Sequence, residues 1–452
     1  MAGMMTTRQR IQHLLRRTGF GYSAAELGEY VALELDGSVE RLLRPGLVDD
    51  SVVDSALAPV LAVFDAPGDP QDPSVRRAHR EALWAAWYLR MTRSRRPLVE
   101  RMTYFWHDHF ATSIGKVDSA LLMHRQNELL RRNALGSFRD LLLGVARDPA
   151  MLIYLDNRTN ARQAPNENYA RELLELHTLG EGNGYTEQDI KEAARALTGW
   201  RIGEARTAVF RPNLFDSGRK TVLGQTGNLN DATLVDLLAG HPRVARYIAG
   251  KLVAAFVRPE GDTALRERAT ATYLRTSGSI SEVMRTILLS DEMYAPAAYR
   301  AIIKSPTELI VGAKRALEIA AEGRTEVEIS NRMGQRIYDP LNPAGWAGGE
   351  AWLNGTTMLA RSNFIAQLTA LGGNGAVDIP GLLRRNGVTG SASAVVDWVL
   401  DLLVGGDVDA ASREVLIDHI GGVHFNFDRA AREGTLHGLI YLAMCMPLYQ
   451  VA

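Results

Sequence analysis

The sequence predicts an all-α protein, a large multi-helix domain with one small β-hairpin insertion near 207–224. Three observations carry that expectation. Apolar residues recur three and four apart in segment after segment. The segments begin on Ser, Thr, Asp or Pro and stop at Gly, the punctuation of helix ends. Only one stretch, TAVFRPNLFDSGRKTVLGQTG at 207–227, places β-formers on both sides of a turn, Asp216-Ser217-Gly218.

Taken in order, 7–16 carries Ile11, Leu14 and Leu15 at helical spacing and stops at Gly19. Ser23 and Glu26 then form the Ser-x-x-Glu box that opens the next helix. The same periodicity predicts helices over 75–91, 97–110, 119–132, 137–146, 165–179, 187–198, 232–238, 242–256, 265–276, 280–289, 307–321, 354–370, 394–404 and 411–419. Thr186, three residues before Asp189, is the N-cap for 187–198, and Glu192 and Arg195 sit together on that helix as an ion pair. Gly and Pro mark loops at 62–74 and 342–355. No linker or charge run divides the helices, so the reading is a main domain over 1–371 and a C-terminal helical part over 372–452 packed on the same core.

With 452 residues and 46% hydrophobic composition, the chain can bury a large core. Its 51 Lys and Arg against 52 Asp and Glu leave a net charge of −1, with no overall field for a polyanion, and nucleic acid is not expected as a partner. The single Cys445 lies in an apolar run and forms no intrachain disulfide. No run approaches a membrane span, and MAGMMTTRQRIQHLLRRTGF lacks the apolar centre of a signal peptide, so the expected location is cytoplasmic.

One predicted helix is unusually polar. NENYARELLELHTLG, 166–180, carries Glu167, Asn168, Arg171, Glu172 and Glu175, with Arg171 the only Lys or Arg among them. At about 100° per residue, Asn168, Glu172 and Glu175 form one polar stripe and Glu167, Arg171 and Thr178 a second. Tyr169, Leu173 and Leu176 form the apolar arc, and His177 falls opposite the glutamate stripe as a core residue. A solvated face with Glu–Arg pairs is the simplest account of such a helix. Asn168 is nonetheless a poor helix-interior residue, and two carboxylates one turn apart share a cation, a proton or a metal ion when they are buried.

The second informative stretch is ERMTYFWHDHFATS, 100–113. His107 and His109 share a face only on extended chain, where they would make a two-point metal grip. On a continuous helix they diverge, His109 joining Leu98, Met102 and Phe105 in the core and His107 joining Glu100 and Thr103 on a polar face. In KSPTEL, Lys304 and Glu308 are four apart around Pro306, which suits either an ion pair or an anion contact at a helix start.

These blocks, together with HLLRRTGFG, LLLGVARDPAMLIYLDN, KSPTELIVG and GWAGGEAWLN, closely resemble the large bacterial family known as domain of unknown function 1800, from about His13 to Phe364. The resemblance implies a helical protein of unassigned chemistry, often exported and often encoded beside a sulfatase-like partner family. It also implies that His177 stands where relatives usually have Phe. GQRIYDPLNPAGW, 334–346, departs from the family's usual double proline, and the missing signal peptide departs from many members.

Gly-x-Ser-x-Gly, His-Glu-x-x-His and Asp-rich calcium loops are all missing from the sequence. What the residues offer is a metal-assisted enzyme, hydrolytic or oxidative. In it His107, His109 and one of Glu172 or Glu175 would hold a divalent ion, the other glutamate would act as general base on bound water, and Asn168 and Arg171 would orient them. The alternatives are a non-catalytic helical partner protein with a structural polar network, and a metal-free hydrolase using Glu172 and Glu175 as acid and base.

Overall fold

A computed structural model describes residues 5–66, 69, 72–371 and 377–452. The chain is 65% helical, with 24 α-helices and two two-stranded antiparallel sheets among the described residues, so the all-α expectation holds. One apolar cluster runs from Ile11 and Leu14 through Trp106, Leu173 and Val253 to Leu400 and Leu439, and the C-terminal helices share it. Gly372, where the two parts were expected to meet, lies outside the described residues. No helix among the described residues is long and apolar enough to cross a membrane.

Local chemistry sets most of the boundaries. The first helix, Thr7–Thr18, starts on a capping box between Thr6 and Gln9. Pro97–His109 and Pro242–Phe256 start with proline in the first turn, where its missing N–H costs nothing. The helices the periodicity does not reveal include Thr435–Cys445, whose sequence TLHGLIYLAMC is apolar nearly all round because it is packed within the C-terminal helices.

The β insertion departs from expectation. Instead of one hairpin turning at Asp216, there are two: β1 (Trp200–Ile202) with β2 (Ala208–Phe210), and β3 (Lys220–Val222) with β4 (Gln225–Gly227). The second turns at Leu223 and Gly224, with φ of 50° and 77°, the pair of positive φ values a two-residue hairpin loop requires. Asp216 serves another purpose. Its carboxylate accepts from Arg195 Nε (2.7 Å) and from Gly218 N (2.8 Å), and its own N–H donates to Thr198 Oγ1, which ties the turn to the end of the Glu187–Ala196 helix.

Backbone approaches backbone where the first helix meets Pro306–Ala316. A Cβ on Gly312 would lie 2.3 Å from the Phe20 carbonyl oxygen, and Gly21, at φ 122°, faces the Gly312 Cα. The motifs RRTGFG and KSPTELIVG are therefore partners in space.

Candidate functional site

The polar helix is shorter than its sequence suggests and ends irregularly. It is α-helical over Asn168–Leu174 and π-helical over Glu175–Leu179. Its start is moved past Pro165 by a relay of asparagines: Asn160 Oδ1 accepts from Asn166 N, and Asn166 Oδ1 accepts from Asn168 N at 2.9 Å. The wide turn alters the wheel. Thr178, expected beside Arg171 on a polar stripe, is fully buried and donates to the Leu173 carbonyl at 2.6 Å, five residues back, while Leu176 is only half-buried.

A helix end leaves carbonyls without intrahelical donors, and here side chains from elsewhere supply them. Tyr247 Oη donates to Leu176 O (3.0 Å), His109 Nε2 to His177 O (3.0 Å), and Asn183 Nδ2 to Leu179 O (2.7 Å), with Gly180 turning the chain away at φ 89°. His109 thus serves as a cap for this helix end. Because a carbonyl only accepts, the proton of neutral His109 sits on Nε2 and the lone pair on Nδ1.

His107 lies on the same helix, Pro97–His109, which runs through both histidines, so the extended His-x-His grip does not form. The side expected to be polar is buried as well. Glu100 is paired with Arg131 (2.7 Å) and accepts from the Trp87 indole, and His107 is 1% exposed, edge-on to Trp87. His107 Nε2 accepts the Tyr338 amide N–H (3.0 Å), so its proton is on Nδ1, the tautomer opposite to that of His109. Tyr338 holds a left-handed φ of 66°, and its carbonyl accepts from Ile114 N. Next along, Asp108 accepts from Trp346 N at 2.9 Å. A Cβ on Gly345 would come within 2.2 Å of Asp108 Oδ1, so only glycine lets this loop close on the helix end.

Burial keeps these imidazoles neutral. It pushes His107 and His177 down to about 3 and His109 well below the usual histidine range, with Lys251 adding to the effect on His109 and His177. His177 is a core residue, as its place opposite the glutamates suggested. Both of its ring nitrogens, and Nδ1 of His109, are buried without a hydrogen-bond partner. One expected result follows. His177→Phe removes two unpartnered polar atoms and gains about 1–3 kcal/mol. The gain is measured as a melting temperature raised by roughly 2–4 °C per kcal/mol; a lower one would mean the larger ring does not fit.

Arg171 donates to both oxygens of Glu187 (2.8 and 2.9 Å) and lies 3.4 Å from Glu175 and 3.5 Å from Glu167. Glu172 is half-buried; burial and then Glu175 push its carboxyl up, and Arg171 pulls it down. Asn168 is exposed at the helix start. The triad of His107, His109 and Glu172 is not assembled, and the lone pair of His107 Nε2 is taken by the Tyr338 N–H. Among the described residues, no group of three or more His, Cys, Asp or Glu side chains is placed to hold a metal ion.

Periodicity also missed a second polar centre. Glu308 accepts from Ser305 N (2.7 Å) and pairs with buried Arg101, not with Lys304. Lys304 Nζ donates to the Tyr449 carbonyl at 2.7 Å and stands 3.9 Å from the Tyr449 ring. Burial, then Arg16, pushes Lys304 down to about 7, with Glu308 pulling the other way. The RR and KSPTEL motifs held the signal, but nothing local says that they meet.

Fold and site together define a large all-α protein in which buried polar residues of the two motif stretches cap a helix end and clamp a loop inside the core. The chain belongs to the family described as a protein of unknown function, DUF1800, which it matches over residues 13–451, so the likeness extends past Phe364 through the C-terminal helices. No curated protein and no solved structure matches it.

Proposed function

We propose that this chain is a non-catalytic helical partner protein in which the histidines and charged residues of the two motif stretches are structural. One observation carries the reading. His107 uses its Nε2 lone pair on the Tyr338 N–H and His109 donates its Nε2–H to the His177 carbonyl, so both rings act as cross-links between distant elements. Arg171, satisfied by three carboxylates, supports the same reading. Buried polar networks of this kind fix register in some proteins, and that is the role proposed here.

Elemental analysis of protein purified without a metal-affinity column tests it, with wild type beside Glu172→Ala and His109→Ala. The expected result is no stoichiometric metal in any of the three, with His109→Ala losing about 1–3 kcal/mol of stability as the His177 carbonyl loses its donor. Glu172→Ala, which removes a half-buried carboxylate with no ion pair of its own among the described residues, should unfold within about 0.5 kcal/mol of wild type. Near-stoichiometric metal lost in both variants would overturn the proposal in favour of a metal-assisted enzyme.

A further inference from the structure

The helix Gly355–Leu368, GTTMLARSNFIAQL, carries a single charged residue, Arg361, and that residue is fully buried. Its opposite face is turned to solvent. Thr356, Leu359, Asn363 and Gln367 recur there at three- and four-residue spacing, all but Leu359 uncharged polar residues, with exposed Ala366 beside them. An exposed helix face ordinarily carries charged side chains, and 23% of this chain is charged, yet this stripe has none. Leu359 on it is 62% exposed, and the neighbouring Met358 37%. Between this helix and Arg324–Arg332 runs an open groove of about 430 Å³, lined by Ile329, Leu359, Ala360 and Phe364 among others. Apolar surface without charge beside an open groove is the composition of an interface centre, not of a solvated face.

Two charges at one end say what covers it. Arg332 lines the groove and Glu350 precedes the helix; both are exposed, and neither has an ion-pair partner among the described residues. Gly334 faces Trp352 and Thr357, so the end of Arg324–Arg332 and the start of Gly355–Leu368 lie side by side and bring both charges to the same end. An acidic partner would match Arg332 and repel Glu350, and a basic one the reverse. A second copy of the chain matches both, because a twofold axis sets Arg332 of each copy against Glu350 of the other, and an uncharged stripe does not repel itself. We propose that this chain forms a twofold homodimer through the helix Gly355–Leu368, in which Leu359 of each copy enters the groove of the other and the Arg332–Glu350 pairs close the rim. This face is independent of the histidine motifs and of the role proposed for them.

Sedimentation equilibrium of the full chain, from about 1 to 100 μM, tests the interface. The expected mass is twice the 49.6 kDa of one chain. Leu359→Glu, at an exposed position, should leave the helix content unchanged and give the monomer mass. Arg332→Glu and Glu350→Arg should each weaken the dimer by about tenfold or more, and the double reversal should recover it to within about threefold. A wild type at the monomer mass throughout would give the face to a different protein and overturn the proposal, as would a dimer that survives Leu359→Glu. A double variant no tighter than either single would overturn the twofold pairing of Arg332 with Glu350.

Discussion

Lowering the pH from 7 to 5 is expected to bring this protein to the edge of unfolding. His13, His107, His109 and His177 are buried and held neutral, each below its ordinary 6.5, chiefly by burial. The unfolded chain takes up protons below 6.5 and the folded chain does not, so stability is present above that pH and is lost as pH falls from 6.5 towards 3. At pH 5 His107 and His177, held near 3, each cost about 2 kcal/mol, and His13 and His109 add losses of the same sign. Asp148 opposes them. Burial raises its carboxyl to about 7, so the folded state holds a proton the unfolded state releases between about 4 and 7, which returns about 2 kcal/mol. The histidine losses outweigh that return, so stability falls by several kcal/mol, a large share of an ordinary domain's. Urea midpoints at pH 7.5, 6 and 5 measure it, and His177→Phe should show a shallower slope by one histidine's share. A midpoint unchanged to pH 5 would mean that water reaches these rings.

The largest single-residue effect is expected at Glu308. Glu308→Gln keeps the shape but leaves Arg101 as a buried charge with no carboxylate, and breaking such a pair costs about 3–5 kcal/mol. At roughly 2–4 °C per kcal/mol the melting temperature falls by about 10 °C. A second variant separates a pair from a cluster. If only Arg101 needed Glu308, the double replacement Arg101→Met/Glu308→Leu would restore stability, since an apolar pair commonly replaces a buried ion pair without loss. Arg17, Lys304 and Arg361 also lie in the field of Glu308, so the double variant is expected to remain well below wild type. Full recovery would show that those cations are satisfied by the surrounding carbonyls.

The sequence by itself determined the helical class, many of the helix boundaries and the composition of the polar stretches, because capping and 3.6-residue periodicity act over a few residues at a time. Thr186 with Asp189, Glu192 with Arg195 and the core position of His177 were all legible in this way. The β insertion was legible as strand-forming chemistry, but Asp216 misled: a turn residue also serves as an anchor, and only the nearby Arg195 and Thr198 show which. The π turn at Glu175–Leu179 was not legible, since it is stabilised by His109 and Tyr247 reaching in from helices far along the chain.

The candidate site divides in the same way. Residue type drew attention to His107, His109, Glu172 and Glu175, but a ligand set is a matter of distance and direction. His107 turns to Tyr338, His109 to His177 and Arg171 to Glu187, each choice made by a segment that arrives through tertiary packing. The meeting of RRTGFG with KSPTEL, nearly 300 residues apart, rests on two glycines that let backbones touch. A one-dimensional pattern states which side chains can bond or ionise; burial and the arrival of distant partners decide which of them do.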